Sequence, residues 1–199
     1  MSEVVDLVFP LEGTELRPDY ALPLWQALRA LAPWLEAEDE AGILPLKGTS
    51  PGQGKLILNR RAQLALRLRA GRVAEAAGLG GARLSLGGEV RLGSPAQREL
   101  RPTPAQYSPL VLLGSGDETE FLAACTQRLA ALGIRAQAVC GRAQALAGEA
   151  GELHGFSLML HGLSREDALC LQSRGMGSGR KLGCGIFQPH KTAHAVGAL

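Results

Sequence analysis

Eleven residues near the C-terminus, Gly175 to Gly185, hold five glycines, at 175, 177, 179, 183 and 185, together with Arg180 and Lys181; Arg174 stands just before them and no acid interrupts the run. Glycine reaches positive φ and allows close backbone approach, so successive N–H groups of such a loop can face an anion while neighbouring bases supply full charge. A phosphate backbone suits that arrangement; a tight helix-to-strand connector is the alternative. The side chains fitted to move protons near neutral pH are the four histidines, 154, 161, 190 and 194. His190 follows the loop by five residues and adjoins Lys191, which makes it the candidate catalytic base, with a phosphate contact or an edge-strand position as its other reading. His161 reads as a turn residue at a strand end, His154 and His194 as loop and tail residues. Tyr20 and Tyr107 are further groups able to assist proton transfer.

Other chemistries fall away on spacing. A Walker loop needs a glycine where Thr49 stands and a hydroxyl where Leu56 follows Gly54-Lys55; in the late loop Arg180 occupies the position of the glycine before Lys181. A dinucleotide fingerprint follows a strand and opens a helix, whereas this loop follows a helix and opens a strand. Cysteines 125, 140, 170 and 184 never reach C-x-x-C spacing and read as reduced thiols, not zinc ligands. Glu36, Glu38, Asp39 and Glu40 read as a solvated acidic corner. The expectation is no metal and no cofactor.

Charge is segregated along the chain. Residues 1–54 hold three Lys/Arg against nine Asp/Glu, and residues 55–103 hold ten against three; residues 104–168 hold four against seven, and 169–199 four bases and no acid. Two basic segments can form a positive face of the kind a nucleic-acid backbone needs. Arg60, Arg61, Arg67, Arg69 and Arg72 are expected to form one basic strand-to-helix surface, and Arg174, Arg180, Lys181 and Lys191 a second.

The elements that must position these residues come in two similar sets. Val4 to Phe9 reads as a buried strand, followed by a helix with Asp19 as N-cap and Leu24, Trp25, Leu28 and Leu31 at helical spacing. Ile43 to Leu46 is a short apolar run. Leu64, Leu66 and Leu68 alternate with Ala65, Arg67 and Arg69, which predicts a half-buried strand with a basic outer face. A helix over Val73 to Ala77 stops at Gly78, and Ala82 to Leu92 forms a hairpin or bulge around Gly87-Gly88. Arg101-Pro-Thr-Pro104 breaks both periods and is the natural boundary. A strand at Leu110 to Leu113, a helix from Glu118 to Leu132, strands at Ile134 to Cys140 and Phe156 to Leu160, a helix capped by Ser164 and a last strand from Ile186-Phe187 complete the second set. The Ala/Gly-rich stretch after Cys140 reads as a mobile connection. Strand, helix, strand, strand, helix, strand is the ferredoxin-like plan, so the predicted fold is α+β with two tandem ferredoxin-like (βαββαβ) domains, residues 1–103 and 104–199, the second carrying the glycine-rich loop 174–185.

Gly175-x-Gly177, five residues, then Gly183-x-Gly185 resembles the C-terminal glycine loop of the repeat-associated (RAMP) superfamily, especially the CRISPR-associated endoribonuclease that cuts precursor CRISPR RNA within its repeats. Phe187-Gln-Pro-His-Lys191, the opening Val8-Phe9-Pro10 with Gly13, and Arg101-Pro-Thr-Pro104 with Tyr107-Ser108 extend the resemblance over the whole chain, as a short branch. It implies binding of a repeat stem-loop, metal-independent cleavage at its 3′ base, and retention of the product in an effector complex with other subunits. With the glycine loop and the basic surfaces above, the expected RNA-binding set is Arg174, Gly175, Gly177, Gly179, Arg180, Lys181, Gly183, Gly185, Lys191, Arg60, Arg61, Arg67 and Arg69. The histidine that much of this family carries in or just after the first helix has no counterpart: Glu36 and Leu44 occupy that stretch. Two other activities are open, a non-cleaving subunit that holds guide RNA and a structural RAMP subunit that coats it.

The chain has 199 residues, 46% apolar and 20% charged, with a net charge of +2. That is enough for two small cores. No apolar stretch approaches the roughly 18–20 residues of a membrane span, and the first six residues carry two acids instead of a basic signal head; a cytoplasmic protein without membrane partners is expected.

Overall fold

The computed structural model describes residues 3–51, 54–114 and 116–191. The chain divides into two compact units. The first is Met1–Leu100 with Leu146–Glu152 and Arg180–Gly183; the second is Arg101–Ala145, Leu153–Gly179 and Cys184–Leu199.

The first unit is built around β1 (Val4–Glu12). Its β-branched, almost wholly buried run pairs antiparallel with β5 (Gln63–Arg69), Val4 opposite Arg69 through Pro10 opposite Gln63. β3 (Gly42–Ile43) adds to the far side of β5. Across β1 lie β6 (Arg83–Ser85), β7 (Glu89–Leu92) and β8 (Ala96–Glu99), of which β7 and β8 pair with β1 and β6 with β7. A fourth-first-third-second strand order is the ferredoxin-like plan. A separate ribbon joins β2 (Glu15–Leu16) to β4 (Leu56–Ile57). Helix α1 (Ala21–Leu31) and the short α2 (Val73–Ala77) bring Leu24, Trp25, Leu28 and Ala76 onto Leu7, Phe9, Leu64, Leu66 and Leu68. Each such fully buried large side chain contributes about 1.5–3 kcal/mol.

In the second unit β9 (Ala105–Val111) lies between β11 (Gly151–His161) and β12 (Gln188–Pro189), and β10 (Gln137–Gly148) edges β11. This is the same plan. Helices α3 (Glu118–Ala131) and α4 (Arg165–Arg174) cover one face, where Phe121, Cys125, Leu129, Ala168 and Leu171 meet Leu158 and Leu160. Phe121 and Phe156 stack with centroids 4.9 Å apart. Ser164 caps α4 by accepting a bond from the Asp167 N–H at 3.0 Å, as the sequence predicts.

Several boundaries differ from expectation. Asp19 does not cap α1: Tyr20 is the N-cap residue, and the Asp19 carboxylate binds Arg17 at 2.7 Å instead. β9 starts at Ala105, not Leu110, because cross-strand pairing carries polar Gln106 and Ser108 that apolar periodicity misses. The Ala/Gly-rich stretch is no loose connection; it is the second half of β10, in a hairpin with β11. The last strand begins at Gln188, while Ile186 and Phe187 are buried ahead of it. β8 has no apolar periodicity, since all four of its residues are exposed and it is held by backbone pairing with β1 and the Arg98–Asp6 contact.

Candidate functional site

The glycine loop is tightly built. All five glycines have positive φ, from 64° at Gly185 to 86° at Gly183. A Cβ at Gly185 would collide with the Met176 carbonyl and one at Gly177 with the Leu112 carbonyl. Six loop N–H groups donate to backbone carbonyls: Gly175 to Leu171 (2.7 Å), Met176 to Gly185 (3.0 Å), Ser178 to Leu112 (3.2 Å), Gly183 to Arg180 (3.2 Å), Cys184 to Gly179 (3.1 Å) and Gly185 to Leu110 (2.8 Å). At these positions the backbone serves the fold, which corrects the expected anion cradle of successive N–H groups.

The charged residues of the loop separate. Arg174 is exposed at the end of α4. Arg180 is buried in the first unit, where its guanidinium donates to the Glu40 carbonyl at 2.8 and 3.2 Å; burial, then Arg67, pulls its pKa down to about 10. Lys181 donates to the Glu38 carbonyl and lies 5.8 Å from the Trp25 ring. Burial, then Arg180, lowers its pKa to about 8. The expected second basic surface therefore keeps Arg174 and the exposed Lys191, while Arg180 and Lys181 pack inward.

The first basic surface is also thinned. Arg67 is only 1% exposed and bonds Asp6, which corrects the outward face expected for it. Arg69 pairs with Glu40 at 2.8 Å and Arg72 with Glu38 at 2.6 Å. Lys55–Glu15, Arg91–Glu12 and Arg98–Asp6 join the same two segments. Much of the charge segregation along the chain is thus neutralised inside the first unit. Arg60 and Arg61 stay exposed at the turn before β5.

The sheet of the second unit brings proton-transfer groups together. Tyr107 of β9 is the register partner of Met159 on one side and Gln188 on the other. Ala105 is the partner of His161, and its carbonyl accepts the His190 N–H at 3.0 Å. Residues paired in register share a face, so His161, Tyr107 and His190 lie on one face, opposite Leu158 and Leu160 under the helices. The His190 and Tyr107 rings are 5.3 Å apart at 37°. His190 is exposed, Tyr107 and His161 half-buried. His154 is exposed seven residues earlier on β11, and His194 lies outside the described residues. Local spacing carries no signal for this grouping; only the register of β9 reveals it. Tyr20 is used structurally: it accepts the Leu46 N–H at 2.8 Å, and burial raises its pKa. Among the described residues no group of three or more His, Cys, Asp or Glu side chains is placed to hold a metal ion, and no helix is long and apolar enough to cross a membrane.

A family model described as Cas6 Crispr matches residues 5–192. The chain belongs to the Cas6 family. The CRISPR-associated endonuclease Cas6 of Myxococcus xanthus (strain DK1622) is 36% identical over 194 residues, covering 96% of this chain and 84% of that protein. The fold is shared with a Cas6-related protein from Pyrococcus furiosus, at a TM-score of 0.63 and 13% identity over 93% of this chain and 98% of that one. It is shared also with Thermus thermophilus Cse3 bound to an RNA representing a pre-cleavage complex, at 0.51 and 18% over 94% and 98%. As in this Cas6-family chain, a tandem ferredoxin-like α+β architecture is the common element.

Proposed function

We propose that this protein binds the stem-loop of CRISPR repeat RNA and cuts the precursor within the repeat, without a metal, in the cytoplasm, and that it keeps the 3′ hairpin inside an effector complex with other subunits. The observation that carries the reading is 36% identity to a CRISPR-associated endonuclease over 96% of the chain. The RNA bound in the Thermus thermophilus Cse3 structure, which represents a pre-cleavage complex, supports an RNA substrate.

Metal-free cleavage makes the substrate's 2′-hydroxyl the nucleophile. It requires a base for that proton and an acid for the leaving 5′ oxygen, each worth about 10²–10⁴ in rate. His190, exposed beside Tyr107, is our choice for the base. Arg174 and Lys191 in the second unit and Arg60 and Arg61 in the first are exposed bases of the predicted set suited to phosphate contacts, whereas Arg69, also exposed, is held by Glu40. Readout is by charge and stem shape, since the deep, narrow major groove of A-form RNA resists side-chain entry.

A non-cleaving guide-RNA subunit is favoured by one observation: Glu36 is exposed and ion-paired to Arg29, Leu44 is buried, and no histidine stands in that stretch. Incubating the purified protein with a labelled repeat hairpin, and measuring cutting and binding on the same sample, separates the readings. Cutting within the repeat, with the hairpin product still bound, is expected. Tight hairpin binding without cutting would replace our reading by the non-cleaving one, and equal affinity for spacer and hairpin would replace it by a guide-coating role.

A further inference from the structure

We infer that His161 is the second proton-transfer group of the cleavage reaction, working with His190 from the opposite side of Ala105; the inference rests on the proposed ribonuclease activity. The two histidines are 29 residues apart in the chain, yet both align with Ala105, His161 from β11 and His190 from the segment continuing β12. Adjacent strands are about 4.7–4.9 Å apart, so their α-carbons stand roughly 9–10 Å apart on one face. Ala105 beneath them is small and buried, while His190 is exposed and His161 half-buried, so it is the two rings that a substrate group reaches.

That spacing matches the reaction. In an in-line displacement the attacking and leaving oxygens lie on opposite sides of phosphorus. A base and an acid, each within about 2.6–3.2 Å of its oxygen, must therefore stand well apart and flank the phosphate. One neutral imidazole takes the 2′-hydroxyl proton as the O2′–P bond forms; the other, an imidazolium, gives a proton to O5′ as the P–O5′ bond breaks. The products are a 2′,3′-cyclic phosphate and a 5′-hydroxyl, with one proton gained and one lost by the pair and no further reactant. Tyr107, one position along β9 on the same face and 5.3 Å from the His190 ring, limits where that ring turns and acts as a positioning residue.

The test compares His161→Ala, His161→Gln and His190→Ala on the repeat hairpin and on the same hairpin with sulfur replacing the 5′-bridging oxygen at the scissile phosphate. A thiolate leaves without being protonated, so loss of the acid is rescued by sulfur and loss of the base is not. We expect His161 and His190 variants to lose about 10²-fold or more on the natural hairpin, to bind an uncleavable 2′-deoxy hairpin within about twofold of the unsubstituted protein, and sulfur to rescue the His161 variants but not His190→Ala, the base. His154→Ala, on the same strand, should cut normally. His161 variants that cut the natural hairpin at the normal rate, or failure of sulfur to rescue either histidine, would overturn the pairing while leaving cleavage standing. An unsubstituted protein that binds but cuts neither hairpin would overturn the ribonuclease reading itself, and the pairing with it.

Discussion

Asp6 and Arg67 face each other as direct register partners on β1 and β5, buried, with Arg67 Nε donating to Oδ1 at 2.8 Å and its second nitrogen to Oδ2 at 3.1 Å. Removing one member of such a pair strands a buried charge, which costs about 3–5 kcal/mol, whereas replacing both by apolar residues of similar volume is close to neutral. Asp6→Ala should lower unfolding free energy in urea by that amount, and Asp6→Leu with Arg67→Met should recover most of it. A loss below about 1 kcal/mol for Asp6→Ala would place the pair among ordinary surface bridges.

Gly185 and Gly133 make a controlled comparison, because φ is 64° and 67° but only Gly185 would drive a Cβ into a carbonyl, that of Met176. Gly133→Ala should cost only the left-handed strain of about 1–2 kcal/mol. Gly185→Ala should cost clearly more, read as a larger drop in denaturant midpoint, because the backbone around Met176 must shift.

Salt separates exposed bases that contact RNA from Arg69, which is exposed but neutralised by Glu40. Arg174→Ala and Lys191→Ala should each weaken hairpin binding and flatten the plot of log affinity against log salt by about 1, since each phosphate contact releases a counterion. Arg69→Ala, whose partner is Glu40, should leave that slope unchanged. Equal slopes for all three would contradict the neutralisation of Arg69 by Glu40.

Lys181 titrates at about 8 when folded against an ordinary 10.5. Between those values the unfolded chain holds a proton that the folded chain has released, so stability from this group rises with pH through the window, and the cost of burying its charge is fully present below it. Lys181→Met should remove that rise. Urea unfolding of both proteins on either side of pH 8 checks it; a parallel pH dependence would show that the Lys181 ammonium keeps its ordinary affinity for protons.

The legible part of the fold was apolar and periodic. Val4 to Phe9, the alternating Leu64, Leu66 and Leu68, and the α3 stripe of Phe121, Cys125 and Leu129 each bury one face against a neighbour, so their patterns survive in the chain. β8 and the outer half of β10 are held mainly by backbone pairing, and their polar or alanine-rich side chains carry no apolar period. Burial of Arg67 was hidden for a related reason: alternation with leucines places it on the opposite sheet face, and nothing local shows that this face is also buried and supplies Asp6, 61 residues away, as its partner. The candidate site divides the same way. His190 was legible from its place after the glycine loop, whereas His161 and Tyr107 join it through the register of β9, which no local spacing encodes.

The most direct test of the central claim is incubation in EDTA with a labelled repeat hairpin and a matched hairpin lacking the 2′-hydroxyl at the scissile nucleotide. The account predicts that only the first is cut, leaving a cyclic phosphate end, and that His190→Ala slows the cut by about 10²-fold or more. Cutting of both hairpins, or cutting that EDTA stops, would contradict it.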